Sequence, residues 1–178
     1  SQAQIIGFSK KILDFFEKQG VKAVVIACNT SSALAYESVK DHYGFKLYPV
    51  IQSCAKVISS MPVNRIGVFA TQGTVTSGAY TRELTKYKPD LKVKEIACPH
   101  WVSIVEGLNS DINPEIDIKS KLEEMMEFSP DKIILGCTHY PYLLPVLTKF
   151  APKELFINPA DIFVDYIKSD LGVNGLLN

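Results

Sequence analysis

The chain has 178 residues and carries 19 Lys and Arg against 19 Asp and Glu, so its formal net charge is zero and gives no reason to expect a nucleic-acid partner. Hydrophobic residues make up 47% and charged residues 21%, which is typical of a globular protein and excludes a disordered chain. The longest apolar runs reach five or six residues, whereas a membrane-spanning helix needs about 20, so no membrane partner is expected.

Strands and helices are predicted to alternate along the whole chain. Short apolar runs rich in β-branched residues predict strands buried on both faces, and apolar stripes at helical spacing predict the helices between them. The predicted strands span 22–27, 46–51, 65–70, 91–97, 132–135 and 154–157. The predicted helices span 3–19, 31–43, 53–60, 74–87, 100–108, 114–128, 142–150 and 159–171.

This alternation predicts an α/β fold with two doubly wound lobes, mainly parallel sheets and a cleft between the lobes. We expect residues 1–60 plus 153–178 to form the first lobe and residues 61–152 the second. A doubly wound unit usually opens with a strand, whereas this chain opens inside a helix, so we expect the first lobe to lack an N-terminal segment. Ligands bind such sheets at the carboxyl ends of the strands, which is where functional residues are expected.

Two of the predicted strand ends resemble each other. The strand 22–27 is followed by Cys28, Asn29 and Thr30, and the strand 132–135 is followed by Gly136, Cys137, Thr138 and His139. Each places a thiol between a strand and a helix start, where backbone N–H groups favour negative charge and lower the pKa of a cysteine. Such donors also bind carboxylates. If each cysteine belongs to its own lobe, the two thiols can face each other across a cleft.

The other two cysteines, Cys54 and Cys98, are interpreted as small buried core residues. Four cysteines without a C-x-x-C pair are too few for a disulfide scaffold in a chain of this length, and the N-terminus has no secretory signal pattern. We therefore expect reduced thiols and a cytoplasmic location.

The segments around the two cysteines resemble the signature segments of bacterial glutamate racemases, within the cofactor-independent aspartate/glutamate racemase superfamily. They are Ala27-Cys28-Asn29-Thr30-Ser31-Ser32-Ala33 and Leu135-Gly136-Cys137-Thr138-His139-Tyr140-Pro141-Tyr142-Leu143. The segments 67–74 and 97–106 are similar to further parts of that family, and the resemblance runs from about residue 3 to 170. The opening Asp-Ser-Gly strand and the Pro-Tyr-Gly segment of the family have no counterpart in this sequence.

The resemblance implies a function and a set of site residues. It implies that L- and D-glutamate are interconverted without pyridoxal phosphate or metal, and that the product supplies peptidoglycan synthesis. Cys28 and Cys137 are then the two acid/base groups, with His139 assisting Cys137 and Glu106 in a weaker supporting role. The implied substrate-binding residues carry short polar side chains or an imidazole: Asn29, Thr30, Thr71, Thr74, Thr138 and His139.

Inversion at the α-carbon favours a mechanism with two acid/base groups rather than one, because a single base tends to return the proton to the face it came from. We expect both sulfurs to line the same cleft. Three alternatives stay open: a racemase for aspartate or another small acid, a Cys/His metal or redox site, and a truncated chain with little activity. We also expect a homodimer, or self-association through the lobe that contains Cys28, and turnover slower than in a full-length enzyme.

Overall fold

The computed structural model describes residues 1–108 and 111–175. The strands are β1 Ala23–Ile26, β2 Lys46–Pro49, β3 Arg65–Ala70, β4 Lys92–Ala97, β5 Lys132–Gly136 and β6 Phe156–Ile157. The α-helices are α1 Gln2–Lys18, α2 Asn29–Leu34, α3 Tyr36–Val39, α4 Val50–Ile58, α5 Gln72–Ser77, α6 Ala79–Tyr87, α7 Trp101–Val105, α8 Pro114–Met126, α9 Leu144–Leu147 and α10 Pro159–Val173. Two short 3₁₀ helices cover Tyr140–Leu143 and Lys153–Leu155.

The described strands form two parallel sheets. β1 pairs with β2, and the second sheet has the order β4-β3-β5-β6 with every pairing parallel. The predicted α/β class with parallel sheets is confirmed. The central strand β3 is aligned so that Ala70 lies opposite Ala97 on one side and Gly136 on the other, which brings the carboxyl ends of three strands to one edge.

The four-stranded sheet is covered by helices on both faces. Ile66, Val68 and Ile134 belong to a core that also contains residues of α4, α6 and α10. Phe69, Ile133 and Leu135 belong to the opposite core, together with α7, α8 and the Tyr140–Leu143 turn. Successive residues of a strand point to opposite faces, so an uninterrupted apolar run supplies both cores.

Two predicted helices have ends displaced by three residues, since the one predicted at 53–60 begins at Val50 and the one predicted at 100–108 ends at Val105, and three others are interrupted. The helix predicted at 74–87 is divided at Gly78, which has φ +60° and separates α5 from α6. The helix predicted at 31–43 is divided at Ala35 and ends at Val39, and the one predicted at 142–150 is a 3₁₀ turn followed by α9. Prolines at 141 and 145 remove N–H donors there and shorten the regular helix.

The first sheet is less covered than predicted. Val24 of β1 is buried, but Val25 is 47% exposed, so the expectation that this strand is buried on both faces is wrong. The C-terminal segment assigned to the first lobe is shared: β6 pairs with β5 of the four-stranded sheet, whereas α10 packs on α4. The division into lobes stays a prediction. Among the described residues, no helix is long and apolar enough to cross a membrane.

Candidate active site

Both cysteines singled out by the sequence follow strands and precede helical turns. Cys28 follows β1 and is the N-cap residue of α2, with extended backbone torsion angles. Cys137 follows β5, and the 3₁₀ turn Tyr140–Leu143 begins three residues later. Cys28 is exposed and Cys137 is only 8% exposed, so the two thiols lie in different environments.

The Cys137 thiol is surrounded by hydrogen-bond donors. Burial raises its pKa above the ordinary value, while the backbone N–H groups of His139 and Tyr140 and the Thr138 hydroxyl lower it. The charge of Cys28 also raises this pKa. The donors lie where the strand-end pattern predicts them, but the expected lowering of the pKa is wrong for Cys137, because burial outweighs the donors. Cys137 is therefore favoured as a thiol when no ligand is bound.

An imidazole and a carboxylate extend the surroundings of Cys137. Nδ1 of His139 lies 3.8 Å from Cys137 Sγ, and Nε2 of the same ring lies 2.7 Å from Glu106 Oε1. An ionised carboxylate only accepts hydrogen bonds, so Nε2 of His139 donates to Glu106. Nδ1, on the other side of the ring, lies 3.5 Å from the Thr138 hydroxyl as well as near the sulfur, and it can accept a proton from the thiol. Glu106, the weaker candidate in the sequence, lies beside the imidazole, and its supporting role stays a prediction.

Three threonines join the segment after β1 to the segment after β3. Thr30 Oγ1 lies 2.9 Å from Thr71 Oγ1 and 3.4 Å from Thr74 Oγ1, and the hydroxyls of Thr71 and Thr74 lie 3.1 Å apart. Thr71 is the N-cap residue of α5, and its side chain accepts from the Thr74 N–H. Thr74 is fully buried, so its hydroxyl supports the other two rather than facing solvent.

A cavity of about 270 Å³ lies between the segments that follow β1 and β5 and the start of α10. It is lined by Asn29, Cys137 and Thr138 among the predicted residues. Glu106, Thr138 and His139 line a neighbouring, more open cavity of about 550 Å³. Cys28 lines neither; it borders an apolar groove of about 160 Å³ between α1 and β1. The expectation that both thiols line one cleft thus stays a prediction, supported by the electrostatic effect of Cys28 on Cys137.

Sequence reasoning missed three residues of this region. Tyr142 is 76% exposed and lines both cavities. Asn158 caps α10 directly after β6 and lines the smaller cavity, and the strand-end rule that selected the cysteines would have selected it too. Tyr80 lies on α6, and its hydroxyl donates to Asn29 Oδ1 over 2.6 Å. No local sequence signal distinguishes Tyr80 from an ordinary core aromatic.

A metal site is one of the alternatives that the sequence leaves open. No group of three or more His, Cys, Asp or Glu in residues 1–108 and 111–175 is placed to hold a metal ion together. Cys54 and Cys98 are buried as predicted, and burial raises the pKa of Cys54 to about 12. Both therefore pack as small apolar residues.

Comparisons with known proteins agree on one family. The model of the Asp/Glu/hydantoin racemases matches residues 1–167. The glutamate racemase of Trichormus variabilis is 37% identical over 181 residues, which covers 100% of this chain and 61% of that protein. The glutamate racemase of Gloeobacter violaceus is 40% identical over 162 residues, with 89% of this chain and 60% of that protein covered. The chain thus spans about three fifths of the length of these curated relatives.

Solved structures give the same result for the fold. The crystal structure of glutamate racemase from Francisella tularensis in complex with D-glutamate is similar with a TM-score of 0.89 and 32% identity. The similarity covers 100% of this chain and 67% of that one.

Proposed function

Because the chain belongs to the Asp/Glu/hydantoin racemase family, we propose that it interconverts L- and D-glutamate by proton transfer through two cysteines and without a cofactor. The observation that carries the proposal is the series of contacts from Cys137 to His139 to Glu106, with Cys137 lining a cavity that also contacts Asn29, the neighbour of Cys28. The relatives named as glutamate racemases support glutamate as the substrate.

In this mechanism the Cys28 thiolate removes the α-proton from one face of the substrate, and the Cys137 thiol delivers a proton to the other face. The raised pKa of Cys137 suits that role, since the group starts as a thiol. In the reverse direction Cys137 is the base, and Nδ1 of His139 lies within reach to accept the thiol proton that Cys137 must first lose. The reverse reaction exchanges the roles of the two sulfurs.

The remaining polar side chains bind the substrate in this proposal. Asn29, Thr30, Thr71, Thr138 and His139 supply hydrogen bonds to the α-amino and carboxylate groups, and Thr74 holds the threonine hydroxyls in place. Hydroxyl and amide groups suit this task, because they form hydrogen bonds without competing for the α-proton. A cytoplasmic enzyme with this activity would supply D-glutamate for peptidoglycan and thereby affect cell shape, and we propose that it acts as a homodimer.

The direct test is to incubate the purified chain with L- or D-glutamate in D₂O. We expect circular dichroism to decay to zero and NMR to find deuterium at the α-carbon of the newly formed enantiomer, while the remaining substrate keeps its proton. Exchange in both enantiomers at equal rates would indicate one base and contradict the two-thiol mechanism.

Variants assign the two thiols. Cys28→Ser and Cys137→Ser should each lower racemisation by 10²-fold or more, while elimination of HCl from a β-chloro glutamate analogue, which needs one base, persists. The buried Cys98→Ala is the matched control and should keep its turnover. Absence of racemisation of glutamate with rapid racemisation of aspartate would correct the substrate, and a stoichiometric zinc required for turnover would contradict the cofactor-free mechanism.

A further inference from the structure

Tyr80 contacts the neighbours of both proposed catalytic cysteines. It lies in the first turn of α6, is fully buried, and is one of the largest side chains in the core. Its hydroxyl donates to Oδ1 of Asn29, which follows Cys28 in the sequence. Its ring lies against Gly136, which precedes Cys137. A single side chain thus joins two segments that are more than 100 residues apart in the sequence.

The contact with Gly136 depends on the missing side chain of the glycine. A Cβ at position 136 would lie 2.9 Å from Tyr80 Cε2 and 2.9 Å from the carbonyl oxygen of Phe69. The carbonyl belongs to the neighbouring strand β3 and cannot move without breaking the sheet. The tyrosine ring therefore occupies the space that any larger residue at 136 would need, and it fixes the position of the β5 end.

The contact with Asn29 sets the orientation of an amide. The hydrogen bond is 2.6 Å long and lies in a buried environment, where an unpaired polar group is costly. Burial raises the pKa of Tyr80 well above its ordinary value, and Cys54, Glu95 and Cys137 raise it further, so the hydroxyl stays a donor. Since the donor pairs with Oδ1, the Nδ2 group of Asn29 is the end of the amide that is turned away from Tyr80.

We propose that Tyr80 is a positioning residue for the racemase site. It orients Asn29 so that the amide Nδ2 donates to a carboxylate of the substrate in the cavity that Asn29 lines, and it holds that group in register with the strand end that carries Cys137. This proposal rests on the proposed function, and it assigns to a buried core residue an effect on substrate binding.

The test is a double-mutant cycle of Tyr80→Phe and Asn29→Ala in the chain as it stands. Tyr80→Phe keeps the ring against Gly136 and loses only the hydroxyl, so the fold is retained. We expect it to raise KM for glutamate about tenfold with a smaller change in kcat, which matches the loss of one hydrogen bond to a charged group. In the Asn29→Ala background the same substitution should change KM less than about twofold.

Tyr48→Phe is the matched control. Tyr48 is also buried and donates to a side-chain oxygen, Asp170 Oδ2, at 2.7 Å, but it contacts neither Asn29 nor Gly136. It should leave KM unchanged. If Tyr80→Phe lowers kcat/KM by the same factor with and without Asn29, Tyr80 acts through general stability and the proposal is wrong.

A second readout does not depend on turnover. The side-chain amide signals of Asn29 in a ¹⁵N-labelled sample, identified by their loss in Asn29→Ala, should shift in Tyr80→Phe and not in Tyr48→Phe. Unchanged signals would overturn the proposal even in an active protein. Failure of the unsubstituted chain to racemise glutamate contradicts the proposed function instead, and the amide signals then still decide whether Tyr80 orients Asn29.

Discussion

The contact between Glu106 and His139 decides which imidazole nitrogen can accept a proton from Cys137. The carboxylate accepts a hydrogen bond from Nε2 of the imidazole at 2.7 Å. This contact favours the tautomer that carries its proton on Nε2 and leaves Nδ1, the nitrogen facing the sulfur, unprotonated. Both side chains are partly exposed, at 50% for Glu106 and 32% for His139. Solvent therefore screens their interaction, so the contact orients the imidazole ring but adds little to the stability of the fold.

Glu106→Gln is expected to lower kcat about tenfold or more, with little change in KM. The amide oxygen can still accept from His139 Nε2, but the negative charge that supports a protonated imidazole is lost. The effect should stay below the 10²–10⁴ of a direct proton-transfer group. Steady-state kinetics with L- and D-glutamate at one pH measure it.

Glu115→Gln is the control for this substitution. Glu115 is 53% exposed and pairs with Lys149 on the surface, so the change removes the same charge from a comparable environment. We expect wild-type kinetics for Glu115→Gln. Equal losses in both variants would mean that net charge, and not the contact with His139, is responsible.

At the scale of the elements, the division of the predicted helix 74–87 creates a new helix start that requires a cap. Gly78 adopts the left-handed conformation, and α6 begins directly after it. The N–H of Thr81 and its hydroxyl both donate to Oε1 of Glu95 on β4, at 2.9 and 2.7 Å. A strand thereby caps the helix that carries Tyr80. The second oxygen of the carboxylate, Oε2, is buried without a hydrogen-bond partner among the described residues.

Glu95→Gln tests the cost of that buried carboxylate. Burial raises the pKa of Glu95 above its ordinary 4.5, although Thr81 and Arg82 lower it. The stability associated with the protonated form is therefore present in full below pH 4.5 and is lost as the pH rises through the folded-state pKa. Gln keeps an acceptor for Thr81 and does not ionise. Its free energy of unfolding relative to wild type should increase between pH 4 and pH 8.

Urea denaturation at several pH values measures this difference, with the exposed Glu127→Gln as control. A difference that is independent of pH, or that decreases as the pH rises, would contradict the assigned direction of the pKa. The comparison requires that the free energy of unfolding depend on urea concentration with a similar slope in wild type and variant. A change in that slope reports a change in the unfolded state instead.

The sequence predicts the strands well, because β3 and β5 are short apolar runs that are buried on both faces, as in any covered parallel sheet. It fails where tertiary contacts decide the local conformation. Gly78 is compatible with a helix interior, and the contact from Glu95 that caps α6 beyond the break comes from another element and has no signal in the local sequence. The exposure of Val25 could not be predicted from the sequence either, because a run of apolar residues does not show which other elements cover each face of the strand.

The candidate site, like the fold, was predictable from the sequence only in part. The strand-end positions of Cys28, Thr71 and Cys137 were predictable, because each follows a short apolar run that the sequence marks as a strand. The contact of Tyr80 with Asn29 was not predictable, because the two residues are 51 positions apart in the sequence and are brought together by the packing of α6. The direction of the Cys137 pKa was missed for a related reason: the donors are local, whereas burial depends on the whole core.

The whole molecule exposes an apolar surface on the side of the first sheet. Phe8, Ile12 and Phe15 recur at helical spacing on α1 and are 56% to 59% exposed. Ile12 and the half-exposed Val25 of β1 line the same groove as Cys28. Clustered exposed aromatic and aliphatic residues mark association surfaces, and an uncovered strand edge adds backbone groups that can pair with another chain.

We therefore expect the purified 178-residue chain to self-associate through this surface. Sedimentation velocity across a range of concentrations should give a weight-average mass above the 19.8 kDa of the monomer. Ile12→Glu and Phe15→Glu should each weaken association about tenfold, which corresponds to a loss of ~1.4 kcal/mol. Glu is a good helix former, so α1 should persist in both variants.

Ile116→Glu provides the comparison, since Ile116 is 70% exposed on α8, a helix that contacts β4 of the four-stranded sheet. It introduces the same charge and should leave association unchanged. Equal weakening by all three variants would point to net charge as the cause, because the chain starts from a formal charge of zero. A monomer at every concentration would contradict the prediction, and it would mean that Phe8, Ile12 and Phe15 stay in water without a partner, as scattered apolar residues on protein surfaces often do.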